Sequence, residues 1–126
     1  MPDRLLISSA PVSLTRPMQA MVAKLYSPAL LPAVALERIT YLSDSLKVSG
    51  YLARPAAEGR YPVVIWNRGG YREHGALDDF RAMLILGSTA QWGYVVLATQ
   101  YRGNAGSEGT ESWGDKDVDD ALNLIP

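Results

Sequence analysis

The chain has 126 residues, 48% of them hydrophobic, and its 12 basic and 13 acidic side chains leave a net charge of −1. This describes about one small folding unit with a modest core, and the charge balance gives no reason to expect nucleic acid or an anionic membrane as a partner. Cysteine is absent and histidine occurs once, which excludes disulfides, a thiolate nucleophile and cysteine-ligated metal, argues against a histidine-based metal site, and suits a reducing cytoplasm; no cofactor is expected.

Residues 1–36 carry prolines at 2, 11, 17, 28 and 32 and no sustained periodicity. They read as an N-terminal extension, loosely ordered or partly helical, with a short helix over residues 17–26 where Met18, Met21, Val22 and Leu25 share a face. The apolar run LYSPALLPAVAL is broken by two prolines and falls short of the roughly 20 residues a membrane span needs. It ends in Ala33-Val34-Ala35, similar to a signal-peptidase site, but a secretory core is usually unbroken, so a cytoplasmic location is the preferred reading.

From Glu37 the texture changes. Residues 38–42 read as a strand, Asp44-Ser45 as a turn, and Leu46, Val48, Gly50 and Leu52 alternate along a second strand ended by Pro55, which together predict an antiparallel hairpin. Residues 62–66 form a third strand, apolar enough for burial on both faces. Residues 78–92 predict a helix with Phe80, Leu84 and Gly87 along one side, aspartates at its start and Gly93 as a left-handed stop. Residues 94–99 (YVVLAT) form a fourth strand, and strand–helix–strand with short connections implies parallel pairing through a right-handed crossover. After a glycine-rich loop over residues 100–113, a last helix begins near Asp115, with Val118, Ala121, Leu122 and Ile125 at helical spacing. The order β-β-β-α-β-α is that of an α/β sheet.

Four features invite a chemical reading. The third strand stops at NRGG, where the glycines either satisfy only a tight turn or turn backbone N–H groups into the crevice above the sheet, able to hold an oxyanion. AGSEG (105–109) loosely matches a nucleophile pattern, but Ser107 lies eight residues past its strand and lacks the strand-to-helix turn that exposes a nucleophilic hydroxyl. Gly103, Gly106 and Gly109 approach a dinucleotide fingerprint, yet Glu111, Asp115 and Asp117 follow where a phosphate would sit. His74 sits in a polar loop with no strained serine beside it, so it reads as a surface histidine.

The runs ITYLSDSLKVSGYLARP, YPVVIWNRGG, WGYVVLATQYRGNAGSEG and DKDVDDALNLIP together resemble the catalytic domain of prolyl-oligopeptidase-type serine peptidases, within the α/β-hydrolase superfamily. The resemblance covers residues 37–126 and implies an incomplete α/β-hydrolase sheet. In that family a His-Gly-Gly or Tyr-Gly-Gly turn helps build the oxyanion hole. The matching residues are Arg68, Gly69 and Gly70: the resemblance makes the Gly70 N–H the leading oxyanion donor, with Gly69 beside it, and lets Arg68 hold a substrate carboxylate. Ser43-Asp44-Ser45 stands where the family has Ser-Asp-Gly, and Tyr101-Arg102-Gly103 is similar to a segment that shapes the floor of the site.

The superfamily's nucleophile, acid and histidine follow its fourth strand in that order. The expectation is therefore the N-terminal part of a serine peptidase or esterase, acting on an acyl or peptide substrate, with the triad outside these residues and the chain inactive by itself. The alternative is a truncated, non-catalytic remnant or interaction module. The superfamily strand order also implies that residues 62–66 form an unpaired sheet edge, a route to self-association.

Overall fold

The computed structural model describes residues 6–70, 73–112 and 114–125. The elements run β1 (Leu6–Pro11), α1 (Arg16–Leu25), α2 (Leu30–Ala33), β2 (Val34–Ser43), β3 (Leu46–Pro55), β4 (Val63–Ile65), α3 (Asp79–Ala82), a π-helical turn (Met83–Gly87), α4 (Ser88–Gln91), β5 (Val95–Thr99) and α5 (Asp117–Leu122). The strands form one mixed sheet in the order β1-β2-β3-β5-β4. β4 and β5 pair in parallel across the crossover helices, and the other pairs are antiparallel. The hairpin plus parallel strands read from the sequence are thus present in an α/β fold.

The N-terminal stretch is more ordered than its sequence suggests. Residues 1–5 lie outside the described residues, but β1 pairs antiparallel with β2. All six of its residues are exposed, so an edge strand held by backbone bonds needed no alternating pattern to announce it. α1 begins where Thr15 accepts from the Met18 amide at 3.4 Å. Ala33-Val34-Ala35 straddles the end of α2 and the start of β2, with Val34 buried. Among the described residues no helix is long and apolar enough to cross a membrane.

Alternation along the strands sorts the core into two faces. Val34, Leu36, Tyr51, Ala53, Val96 and Ala98 pack under the helices α1 to α4. Ile39, Tyr41, Val48 and Leu97 face the other way, onto Leu124 just beyond α5. The crossover helix widens the expected stripe. Gly87 is buried and Phe80 and Leu84 pack half-buried against the core, while Ala82, Met83, Leu86 and Ala90 beside them are the fully buried residues; the run includes a π-turn, which adds a residue within the helix. Gly93 ends the run at φ 98° as expected.

The hairpin turn places Asp44 and Ser45 at φ 50° and 67°, the paired left-handed geometry of a type I′ turn. Two carboxylates tie this half of the sheet together. Asp79 accepts from Arg38 Nε at 2.8 Å, again from Arg38 Nη2, and from the Tyr51 hydroxyl at 2.7 Å, fastening the start of α3 to β2 and β3. Asp44 accepts from Arg102 Nη2 at 2.9 Å.

The hydrogen bond from Arg38 holds the Asp79 carboxyl below the usual carboxylate range, and the one from Arg102 does the same for Asp44. A carboxyl depressed by folding contributes stability that is complete above the unfolded value, near pH 4, and is lost as pH falls through the lower folded value. The urea midpoint is therefore expected to hold from pH 7 to about 4 and to drop below that, with Asp79→Asn flattening part of the drop.

Candidate active site

The site is built at the tips of β4 and β5. In the parallel pair, Pro62 O accepts from Val95 N at 3.0 Å and Trp66 N donates to Leu97 O at 2.9 Å. β4 is the end strand of the sheet, so the alternate residues Val63 and Ile65 turn their backbone groups to the open edge. Beyond Trp66 the chain leaves the sheet as Asn67-Arg68-Gly69-Gly70. Both glycines are exposed, and among the described residues neither amide has a hydrogen-bond acceptor.

Gly70 is bent to φ 94°, and a Cβ there would lie 1.8 Å from His74 O. At Gly75 (φ 84°) a Cβ would lie 2.4 Å from Gly69 O. The turn and the returning chain thus meet backbone to backbone, which only glycine permits. At Gly69 a Cβ would meet nothing within 4 Å. The Gln100 side chain completes the loop, accepting from Leu77 N at 2.9 Å and donating to Leu77 O at 2.6 Å.

Arg68 is buried, and its guanidinium donates to the carbonyls of Gln100, Gly69 and His74 at 3.1 to 3.3 Å. These bonds are a different use from the substrate carboxylate expected from the sequence. The guanidinium also lies 5.8 Å from the centre of the Tyr101 ring, within cation–π range. Tyr101 holds φ 66°, a strained backbone for a residue other than glycine, and its hydroxyl donates to Asn67 Oδ1 at 3.1 Å. A groove of about 470 Å³ opens above these groups, with Arg68, Gly69, Gly70 and Tyr101 along one side and Val118, Ala121 and Leu122 along the other.

That second wall is the apolar side of the last helix. The stripe Val118, Leu122 and Ile125 is 46%, 55% and 54% exposed, whereas Asp120 is fully buried. Asp120 accepts from the Arg102 amide (2.7 Å), Arg102 Nη2 (2.9 Å) and Ser43 Oγ (2.6 Å). Its own carbonyl takes the Tyr41 hydroxyl at 2.6 Å. The acid bound to the sheet decides which way α5 faces, and its apolar stripe is left on the groove side.

The remaining sequence candidates resolve locally. Ser107 Oγ accepts from Ser49 N at 2.9 Å and lies 3.1 Å from Ser49 Oγ, so this hydroxyl docks the glycine loop on β3. Gly103, Gly106 and Gly109 all have positive φ within a loop closed on itself by Gly103 N to Glu108 O at 2.9 Å. His74 exposes its side chain and contributes its backbone carbonyl. Asp78 caps α3, accepting from Arg81 N at 2.7 Å.

A parallel β–α–β unit with a glycine turn and groove at its strand tips defines an α/β protein with a crevice in the usual ligand position. No family model matches the chain. It is 39% identical over 92 residues to YtmA, an uncharacterized peptidase of Bacillus subtilis; the match covers 73% of this chain and 34% of YtmA, so the chain spans about a third of that relative. Among solved structures it is similar to a Legionella pneumophila protein assigned as a hydrolase, with TM-score 0.60 and 18% identity over 96% of this chain and 39% of that one. It is also similar to acetyl xylan esterase 1 of a Thermoanaerobacterium species, with TM-score 0.51 and 13% identity over 92% and 34% of the two chains. The fold is of hydrolase type.

Proposed function

We propose that the chain is the N-terminal part of a serine hydrolase of the prolyl-oligopeptidase type, a peptidase or esterase that transfers an acyl group to water. In this reading the Gly70 N–H, with Gly69 beside it, holds the negative charge that develops on the substrate carbonyl oxygen. The serine, acid and histidine come from polypeptide that follows α5. The observation that carries the reading is the pair of exposed glycines at the tip of β4 whose amides have no acceptor among the described residues, lining the groove shared with α5. The open β4 edge and the outward apolar stripe of α5 flank the space where a following strand and its nucleophile turn would seat.

A serine-directed fluorophosphonate tests this. The 126 residues alone are expected to remain unlabelled, and a product continued through the downstream reading frame is expected to label at a serine after the next strand. Absence of label from an intact, folded longer product contradicts the reading.

The edge also supports a second reading, a non-catalytic remnant or interaction module that docks by strand addition. Among the described residues no strand pairs with Val63 and Ile65 on the open side, and the exposed apolar Val63 does nothing to blunt that edge. In isolation the chain is expected to associate with its own copies through β4. Light scattering should report a mass that rises with concentration for wild type and stays monomeric for Val63→Lys. A monomeric wild type at every concentration rules out that edge as an association site.

A further inference from the structure

We infer that Arg68 is the positioning residue of the glycine turn, setting the direction of the Gly70 N–H; the inference rests on the reading of that amide as the oxyanion donor. The Gly69 carbonyl and the Gly70 N–H belong to one planar, trans peptide unit and point in opposite directions. Arg68 Nη1 donates to that carbonyl at 3.3 Å and to His74 O at 3.1 Å. A single guanidinium nitrogen therefore spans the neck of the 69–75 loop and holds the carbonyl end of the peptide, which turns the N–H end away from the buried guanidinium.

The other side of the guanidinium is anchored in the sheet. Nε and Nη2 donate to Gln100 O at 3.3 and 3.2 Å, just beyond β5. The plane of the fork fixes both directions at once, which an ammonium cannot do. The positive charge beside the Gly69 carbonyl also polarises the peptide and strengthens its N–H as a donor. Gly75 leaves room for this arrangement, since a Cβ there would press on the same Gly69 oxygen. Arg68 acts through the backbone; no contact with substrate is required of it.

The test has two arms. In the 126-residue chain carrying Val63→Lys, glycine-labelled NMR relaxation is expected to give Gly70 an order parameter of about 0.85, falling below about 0.6 in Arg68→Ala. β5 should stay rigid, and millimolar guanidinium, but not methylammonium, should restore Gly70. In the longer, fluorophosphonate-reactive product, Arg68→Lys is expected to lower kcat at least about tenfold, within the range for loss of an oxyanion donor, with KM within about twofold and the melting temperature unchanged.

A rigid Gly70 in Arg68→Ala overturns the inference, as does an unchanged kcat in Arg68→Lys. So does a variant that loses folding and activity together with no rescue by guanidinium, since Arg68 would then be merely structural. A longer wild-type product without label or turnover instead defeats the hydrolase reading, and the catalytic part of this inference with it, while the NMR arm still reports on the turn.

Discussion

Gly70→Ala is expected to destabilise the protein by about 2–5 kcal/mol, the sum of a left-handed backbone and a forced contact, whereas Gly69→Ala should leave the melting curve at or slightly above wild type. The two glycines are adjacent and both exposed, so composition and burial do not separate them. What separates them is geometry: φ 94° and a Cβ 1.8 Å from His74 O at Gly70, against open space at Gly69. His74 O belongs to the backbone of a loop tied to Arg68 and, through Leu77, to Gln100, and cannot retreat without breaking those bonds. Urea titration of the two variants checks this. Equal stabilities would mean that the turn does not have the shape described.

Asp120→Ala is expected to cost about 3–5 kcal/mol, the penalty for leaving a buried charge without its partner, which is a large share of the 5–15 kcal/mol typical of a whole domain. Arg102 would lose the carboxylate that receives its amide and guanidinium and keep only Asp44, whose side chain is 45% exposed. Ser43 would lose its acceptor. α5 is then free to rotate its apolar stripe inward, so the loss should show both as a lower urea midpoint and as reduced helical circular dichroism. Asp115→Asn, exposed at the approach to the same helix, serves as the comparison and should stay within about 0.5 kcal/mol of wild type.

Much of the fold was legible because its elements obey periodicity. The hairpin, the two parallel strands and the crossover helix have alternating or continuous apolar runs bounded by prolines, glycines and aspartates. β1 was not legible, because an exposed edge strand places no apolar demand on its residues. The π-turn was not, because the inserted residue changes phase without changing composition.

The final helix was legible as an element, but its orientation was not. Val118, Leu122 and Ile125 have the spacing of a core stripe, and only the distant Arg102 and Ser43 reveal that Asp120 belongs inside. At the site, Gly69, Gly70 and Arg68 were visible as a strand-end turn. Gly75 and Gln100 were not, since their roles depend on where the loop returns, and no local pattern encodes that return.

The most direct measurement is hydrolysis of an activated acyl ester by the 126-residue chain, with Ser107→Ala and Gly70→Ala alongside. If the glycine amides are part of an oxyanion site whose attacking serine lies further along the polypeptide, turnover stays below about 10³ over the uncatalysed rate, the residue left by an oxyanion hole without its triad, and Ser107→Ala does not change it. Robust turnover by this chain, abolished by Ser107→Ala, would contradict the account.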